Sequence, residues 1–257
     1  MTSITYIGHA TTLIEIGQIR LLTDPILRNR VWHLRRRNTS IQDKWYQSVD
    51  AVLISHIHWD HLHLPSLRLL DRDTCLIVPI GCGSMFARKG FRHIEELTVG
   101  DSLKLGSTTI TATRAQHDGG RFLSRKPADT LGYVIDNEVT VYFAGDTDLF
   151  PEMADLADAL DIALLPVWGW GPSIGEGHLN PYRAALALQM LMPKMAIPIH
   201  WGTLHPMGLN LFNPDFLTDP PHAFARFAAQ LAPEVTTEVL SPGQNTIYEA
   251  NKGTLSA

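Results

Sequence analysis

A short apolar run, AVLIS at 51–55, passes without a break into His56-Ile57-His58-Trp59-Asp60-His61, and few folds accommodate that join. A run of aliphatic residues bounded by charge fits a strand buried on both faces, as in the parallel sheet of an α/β protein. Side chains at the carboxyl end of such a strand open into the crevice where α/β proteins bind ligands. Here that position holds three imidazoles and a carboxylate, ligand types that zinc takes in catalytic sites. In an extended loop His56 and His58 project to the same side. Asp60 and His61 follow where the chain turns, so they can approach a second ion. One histidine alone is more often a surface or satisfied core residue; four such residues packed together favour a metal.

The remaining pattern is consistent with one α/β domain over residues 1–257, built of two similar halves. SITYIGHATTLIEI and IRLLTD read as a meander punctuated by Gly8 and Gly17. The arginine-rich stretch 28–38 reads as a loop. LPSLRLLDR and CGSMFARKG read as helices, with Pro65 in a first turn and Gly90 as a stop, and CLIVP between them as a buried strand. LTVGDSLKLGSTTITATRA alternates as strands. In the second half LGYVIDNEVTVYFAGD reads as a hairpin turning at Asp136-Asn137. PEMADLADAL, NPYRAALALQMLM and PHAFARFAAQLA read as helices, DIALLPV, MAIPIH and NTIYEA as strands, and the tail from about 251 as mobile.

The formal charge of -5 argues against a general nucleic-acid binder. Cys75 and Cys82 lack a zinc spacing or a disulfide framework and read as structural thiols. GCGSMF lacks the third glycine of a dinucleotide fingerprint. The N-terminus lacks the basic and long apolar regions of a signal peptide, and no run is long enough to span a bilayer. The expected compartment is therefore the cytoplasm. The oligomeric state is not legible.

HIHWDH resembles the HxHxDH signature of the metallo-β-lactamase superfamily. Further motifs, GHAT at 8–11, LLTDP at 21–25, RAQHDGGRF at 114–122, AGDTDLF, the segment around HLNPYRA and IHWGTLHP, are similar to one branch of it. That branch contains N-acyl-phosphatidylethanolamine-hydrolysing phospholipase D and L-ascorbate-6-phosphate lactonase. The resemblance implies a four-layer αββα sandwich with two divalent ions, zinc first and manganese or iron as alternatives. It implies that His56, His58 and His117 hold one ion, that Asp60, His61 and His200 hold the other, and that Asp146 bridges them. Two such ions share a hydroxide nucleophile and stabilise a developing oxyanion. Asp60 would also orient the hydroxide or accept its proton, and Asp24 would hold a ligand imidazole in its tautomer. The alternative for Asp24-Pro25 is simply a turn.

His178 and His205 sit on glycine- and proline-bounded loops of the kind that place substrate contacts. Trp168, Trp170 and Trp201 share those loops and either wall a pocket or pack in the core, and His9 is a further candidate beside them. Arginines 28, 30, 35, 36 and 37 suggest an anion site, or else a solvated loop paired with Asp43 and Asp50. The expected function is hydrolysis of an ester-type bond in a small-molecule or lipid-like substrate, with a phosphodiester or phospholipid ahead of a lactone or small carboxylic ester. Neither the long N-terminal extension nor the membrane-docking helix associated with the lipid enzyme is expected from the sequence. Rival readings are a nuclease of the same fold, a metal-binding protein without turnover, and a two-metal oxidoreductase.

Overall fold

The computed structural model describes residues 1–37, 40–118, 129–156, 159–208 and 215–250. The first half carries β1 (Thr2–Gly8), β2 (Thr11–Ile16), β3 (Ile19–Thr23), β4 (Arg30–Val31), β5 (Leu34–Arg36) and β6 (Ala51–Leu53). These are followed by α1 (Leu64–Leu67), β7 (Cys75–Pro79), α2 (Gly83–Ala87) and β8 (Ile94–Leu97). The second half carries β9 (Ser102–Leu105), β10 (Thr108–Arg114), β11 (Leu131–Asp136), β12 (Thr140–Phe143), β13 (Ile162–Pro166) and α3 (Pro181–Leu191). It ends with β14 (Met195–Ile199), β15 (Leu204–Pro206), α4 (Asp219–Leu231), β16 (Thr236–Thr237) and β17 (Asn245–Tyr248).

Alternation along the strands builds the layers, because successive side chains leave opposite faces of a sheet. Tyr6 in β1, Ile14 in β2, Leu21 in β3, Leu53 in β6 and Ile77 in β7 face an inner core. Their neighbours Ile7, Leu13, Leu22, Val52 and Leu76 face an outer one. The inner core is shared with Ile110, Tyr133, Phe143, Leu164 and Ile197 of the second sheet, so the two sheets lie face to face. Outside the first sheet, Leu67 of α1, Phe86 of α2 and Trp45 cover the outer core. Outside the second, Ala184 and Leu188 of α3 and Phe224 and Ala228 of α4 do the same. The result is the four-layer αββα sandwich.

Both sheets are built alike. The first runs β17-β1-β2-β3-β6-β7-β8 and the second β16-β14-β13-β12-β11-β10-β9. An antiparallel meander leads each sheet, and parallel strands joined by helical crossovers follow it. The parallel strands β6 and β14 are followed directly by His56 and His200, so ligand-type residues from both halves meet at one edge of the sandwich.

Three sequence expectations need correction. The arginine-rich stretch is not a plain loop: β4 and β5 form a hairpin that pairs with β15 in a third, small sheet. LPSLRLLDR forms one helical turn, α1, because later amides bond three residues back, as Leu69 N does to Ser66 O at 3.0 Å. PEMADLADAL opens with a 3₁₀ turn over Pro151–Asp155, and residues 157 and 158 lie outside the described set. α3 forms as expected: Asn180 caps it by accepting from Arg183 N at 2.9 Å, with Pro181 in its first turn. No helix among the described residues is long and apolar enough to cross a membrane. The tail from 251 lies outside the described residues.

Candidate metal centre

Four histidines point one ring nitrogen outward to a fixed acceptor and the other inward. Ser55 Oγ donates to Asp24 Oδ2 at 2.6 Å, which leaves Ser55 to accept from His56 Nδ1 at 2.9 Å. His61 Nδ1 donates to Asp24 Oδ2 at 2.7 Å. His117 Nδ1 donates to Gly177 O at 2.9 Å, and His200 Nδ1 to Trp168 O at 2.8 Å. In a neutral imidazole the nitrogen opposite the N–H carries a lone pair. All four Nε2 lone pairs therefore converge on one interior.

What they converge on is short of protons. His61 Nε2 and His200 Nε2 lie 3.0 Å apart. Asp146 Oδ2 is 3.1 Å from the former and Asp146 Oδ1 3.2 Å from the latter. His58 Nδ1 lies 3.2 Å from His117 Nε2, while His56 Nε2 and Asp146 Oδ1 are buried with no hydrogen-bond partner. Ligand atoms of His56, His58 and His117 all fall within 4.8 Å of one another, and those of His9, Asp60, His61 and His200 do so separately. Clustered lone pairs and carboxylates with no donor between them repel unless a cation lies among them, so the donor set fits metal.

Electrostatics agree. Burial opposes charge on His61, yet the carboxylates of Asp146, Asp24 and Asp60 outweigh it and hold its pKa well above the usual imidazole value. Burial pushes His200 down to about 3. Binding a cation at His61 Nε2 therefore displaces a proton from it. Burial alone would raise Asp60 and Asp146, but neighbouring histidines, led by His61 for Asp60 and His200 for Asp146, hold both well below the usual carboxylate range. Protons and metal cations compete for the same atoms here.

The loops behind these side chains explain two of the sequence motifs. Gly8, at φ 127°, lies so close to Thr203 that a Cβ would stand 2.6 Å from its Oγ1, so no side chain fits. His9 follows in a left-handed conformation, φ 58°, and its Nε2 donates to Asp60 Oδ2 at 2.9 Å. Thr11 Oγ1 donates to Asp24 O at 2.8 Å and accepts from Ile26 N at 3.0 Å, clamping Asp24 at φ 31°. His200 is also left-handed, φ 62°, and its amide donates to His9 O at 2.8 Å. Three left-handed non-glycine residues at one spot are uncommon and persist only where the surroundings over-determine them. Two buried tyrosines, Tyr6 and Tyr133, donate to Trp201 O at 2.9 Å and Ile54 O at 2.8 Å. They fix the chain next to His200 and His56.

Asp24 and His9 thus stand behind the inward-pointing atoms. Asp24 accepts from Ser55 N, Ser55 Oγ and His61 Nδ1, three donors. Asparagine would turn an amide donor toward them. Asp24→Asn is expected to weaken metal binding about 10- to 100-fold and to cost about 1–3 kcal/mol of stability. Chelator competition and thermal unfolding measure the two effects.

A cavity of about 300 Å³ opens beside the cluster. His58, Asp60, Asp146, His178 and His200 line one part of it, and Val31, Trp32, His33, Leu34, Trp59, Trp170 and Ile174 another. His178 Nε2 stands 3.5 Å from Asp146 Oδ2. Of the other expected substrate contacts, Trp170 lines the cavity, but three do not. Trp168 packs against the inner core, its indole donating to Gly171 O at 2.9 Å. Trp201 is core, buried and stacked on Tyr6 at 5.7 Å. His205 is buried in β15. Spacing does not say which side of a loop faces the cavity, nor that His205 lies in a strand.

The arginines of the 28–37 stretch do not line this cavity. No lysine or arginine occurs among the described residues lining the cavity. Arg36 is buried and donates to the carbonyls of Ile7, at 3.2 Å, and Ile26. Arg30 donates to Trp32 O at 3.0 Å. The buried Arg36 guanidinium, committed to backbone carbonyls, has no fork left for an anion. The hairpin shows the cavity Val31, Trp32, His33 and Leu34 instead, and Trp32 and His33 carried no motif that would have singled them out.

Comparison with known proteins agrees with this architecture. The family described as the Beta-lactamase superfamily domain matches residues 19–201. A metallo hydrolase from Ignicoccus hospitalis is similar in structure, with TM-score 0.74 and 25% identity over 96% of this chain and 98% of that one. The chain belongs to the metallo-β-lactamase superfamily and is a metal-dependent hydrolase. More narrowly, it belongs to the UPF0173 metal-dependent hydrolases. It is 33% identical to one from Pyrobaculum islandicum over 78% of this chain and 84% of that protein. It is 29% identical to one from Methanopyrus kandleri over 94% and 98%. A diiron β-hydroxylase from Streptomyces venezuelae shares the fold alone, with TM-score 0.71 and 19% identity over 95% of this chain and 54% of that one.

Proposed function

We propose that the chain hydrolyses an uncharged ester-type bond, in a carboxylic ester or lactone, with two divalent ions, zinc first and manganese or iron as alternatives. The observation that carries the choice of substrate is the cavity lining: aromatic and aliphatic side chains beside the metal centre, and no lysine or arginine among the described residues there. His56, His58 and His117 would hold one ion, Asp60, His61 and His200 the other, and Asp146 would serve both. The chemistry supplied by two such ions is activation of water near neutral pH and stabilisation of a developing oxyanion.

The chain's own groups supply the rest. His9 Nε2 donates to Asp60 Oδ2 and fixes the carboxylate, which is placed to accept the proton of the attacking water. His178 stands on the cavity wall with Nδ1 turned to the carbonyls of Gly175 and Glu176, at 3.2 and 3.1 Å, and Nε2 toward Asp146, 3.5 Å away, so it orients that carboxylate. Motifs similar to those of the branch of the phospholipase D and the ascorbate-phosphate lactonase support an ester-type reaction. A phosphodiester is the second reading, favoured only by the suitability of two ions for a phosphoryl group.

The test is a panel on zinc-loaded protein: aryl esters, lactones and bis-aryl phosphate. Expected is a kcat/KM at least about ten-fold higher for an ester or lactone than for the phosphodiester. The reverse order would reject the carboxylic reading in favour of the phosphodiester.

A further inference from the structure

The hairpin of β4 and β5 turns through only two residues, Trp32 and His33, between the paired Val31 and Leu34. Such turns place residues in the left-handed region and favour glycine or asparagine there. Here a tryptophan takes that place, at φ 49°, and its side chain is 71% exposed. An indole in a strained backbone that packing does not bury has no rationale in folding, and such strain points to function.

The tip stands over the cavity, which both of its residues line. The His33 ring is edge-on to Trp32 at 4.5 Å and to Trp170 at 5.2 Å, and its buried Nδ1 has no hydrogen-bond partner. Trp59, 51% exposed, lines the same cavity between the metal-centre residues His58 and Asp60. Nor is the tip a free flap. β5 pairs with β15, which follows His200, and Val31 and Leu34 pack with Ile26, Leu204 and Trp170. Arg36 ties the same hairpin to the carbonyls of Ile7 and Ile26, which flank the loops carrying His9 and Asp24. The aromatic tip is therefore held in register with the metal centre.

We infer that the Trp32–His33 tip is the specificity element, and that it selects substrates whose acyl part is an extended, uncharged alkyl chain of several carbons beside the scissile bond. This rests on the ester reading above. With the reacting bond at the His58–Asp60–His200 end, that chain lies between Trp32, Trp59 and Trp170. Indoles offer a large rigid apolar surface for such a chain.

The test compares 4-nitrophenyl octanoate with 4-nitrophenyl acetate on zinc-loaded wild type, Trp32→Gly and Trp32→Asn. Both replacements suit the left-handed turn, so thermal stability should hold or rise. The expected result is a fall of about ten-fold in the octanoate-to-acetate ratio of kcat/KM, carried mainly by KM. A ratio within about two-fold of wild type in both variants would overturn the inference. If wild type turns over neither ester, the ester reading fails on its own. Calorimetric binding of octanoate against acetate then decides the inference: it stands if the variants lower that affinity ratio and falls if they do not.

Discussion

Asp60→Asn is expected to lower kcat about 10²- to 10⁴-fold, while the protein stays folded. The amide has nearly the same volume and its oxygen can still accept from His9 Nε2, now 2.9 Å from Asp60 Oδ2. What disappears is the negative charge. His61, His9 and His200 surround this carboxylate and keep it ionised despite its burial. An amide neither balances a second cation nor accepts a proton from water. Because the lost interaction is made chiefly in the transition state, kcat and kcat/KM should fall together. Steady-state kinetics, elemental analysis and a melting curve on the same preparation separate lost chemistry from lost metal and lost fold. Near wild-type turnover would remove Asp60 from the mechanism.

That prediction could be framed from sequence because Asp60 sits in a local pattern. An apolar strand followed at once by alternating histidines fixes where the side chains emerge, and β6 behaves as read. The alternation of Leu21 and Leu22, or of Leu76 and Ile77, between two cores is equally local. The non-local parts were not legible. Nothing near Arg36 in the chain tells that it pairs with Leu204 or meets the carbonyls of Ile7 and Ile26. Five arginines in ten residues therefore read as a solvated loop or an anion site, although composition cannot distinguish a guanidinium facing solvent from one satisfied by buried carbonyls. His9 is similar: its motif pointed toward the site, but its bond to Asp60 spans 51 positions. Trp201 and Trp170 share comparable loops, yet one stacks on Tyr6 and the other meets His33, a choice made by tertiary packing.

Metal content is where the two-ion reading is most exposed. Protein prepared without chelator is expected to approach two equivalents of zinc, manganese or iron, and His61→Ala/His200→Ala to approach one. His56, His58 and His117 form one group of ligand atoms, and the double variant leaves it untouched. Their outward supports, Ser55 and Gly177, also survive. The second group loses both imidazoles whose Nε2 atoms meet at 3.0 Å, leaving Asp60 with His9 and one side of Asp146. Asp146 reaches both sides, lying 3.1 and 3.2 Å from His61 and His200 and 3.5 Å from His178, whose ligand atoms also group with His117. Asp146→Ala should therefore depress both equivalents, a pattern that separates a shared carboxylate from one belonging to a single position. Gly145 must stay as it is in any such variant, because a Cβ there would stand 2.7 Å from Ser55 Cβ and disturb the first group instead. A wild type holding one equivalent, with that equivalent retained when His61 and His200 are both removed, would leave a mononuclear centre on His56, His58 and His117 and end the two-ion assignment.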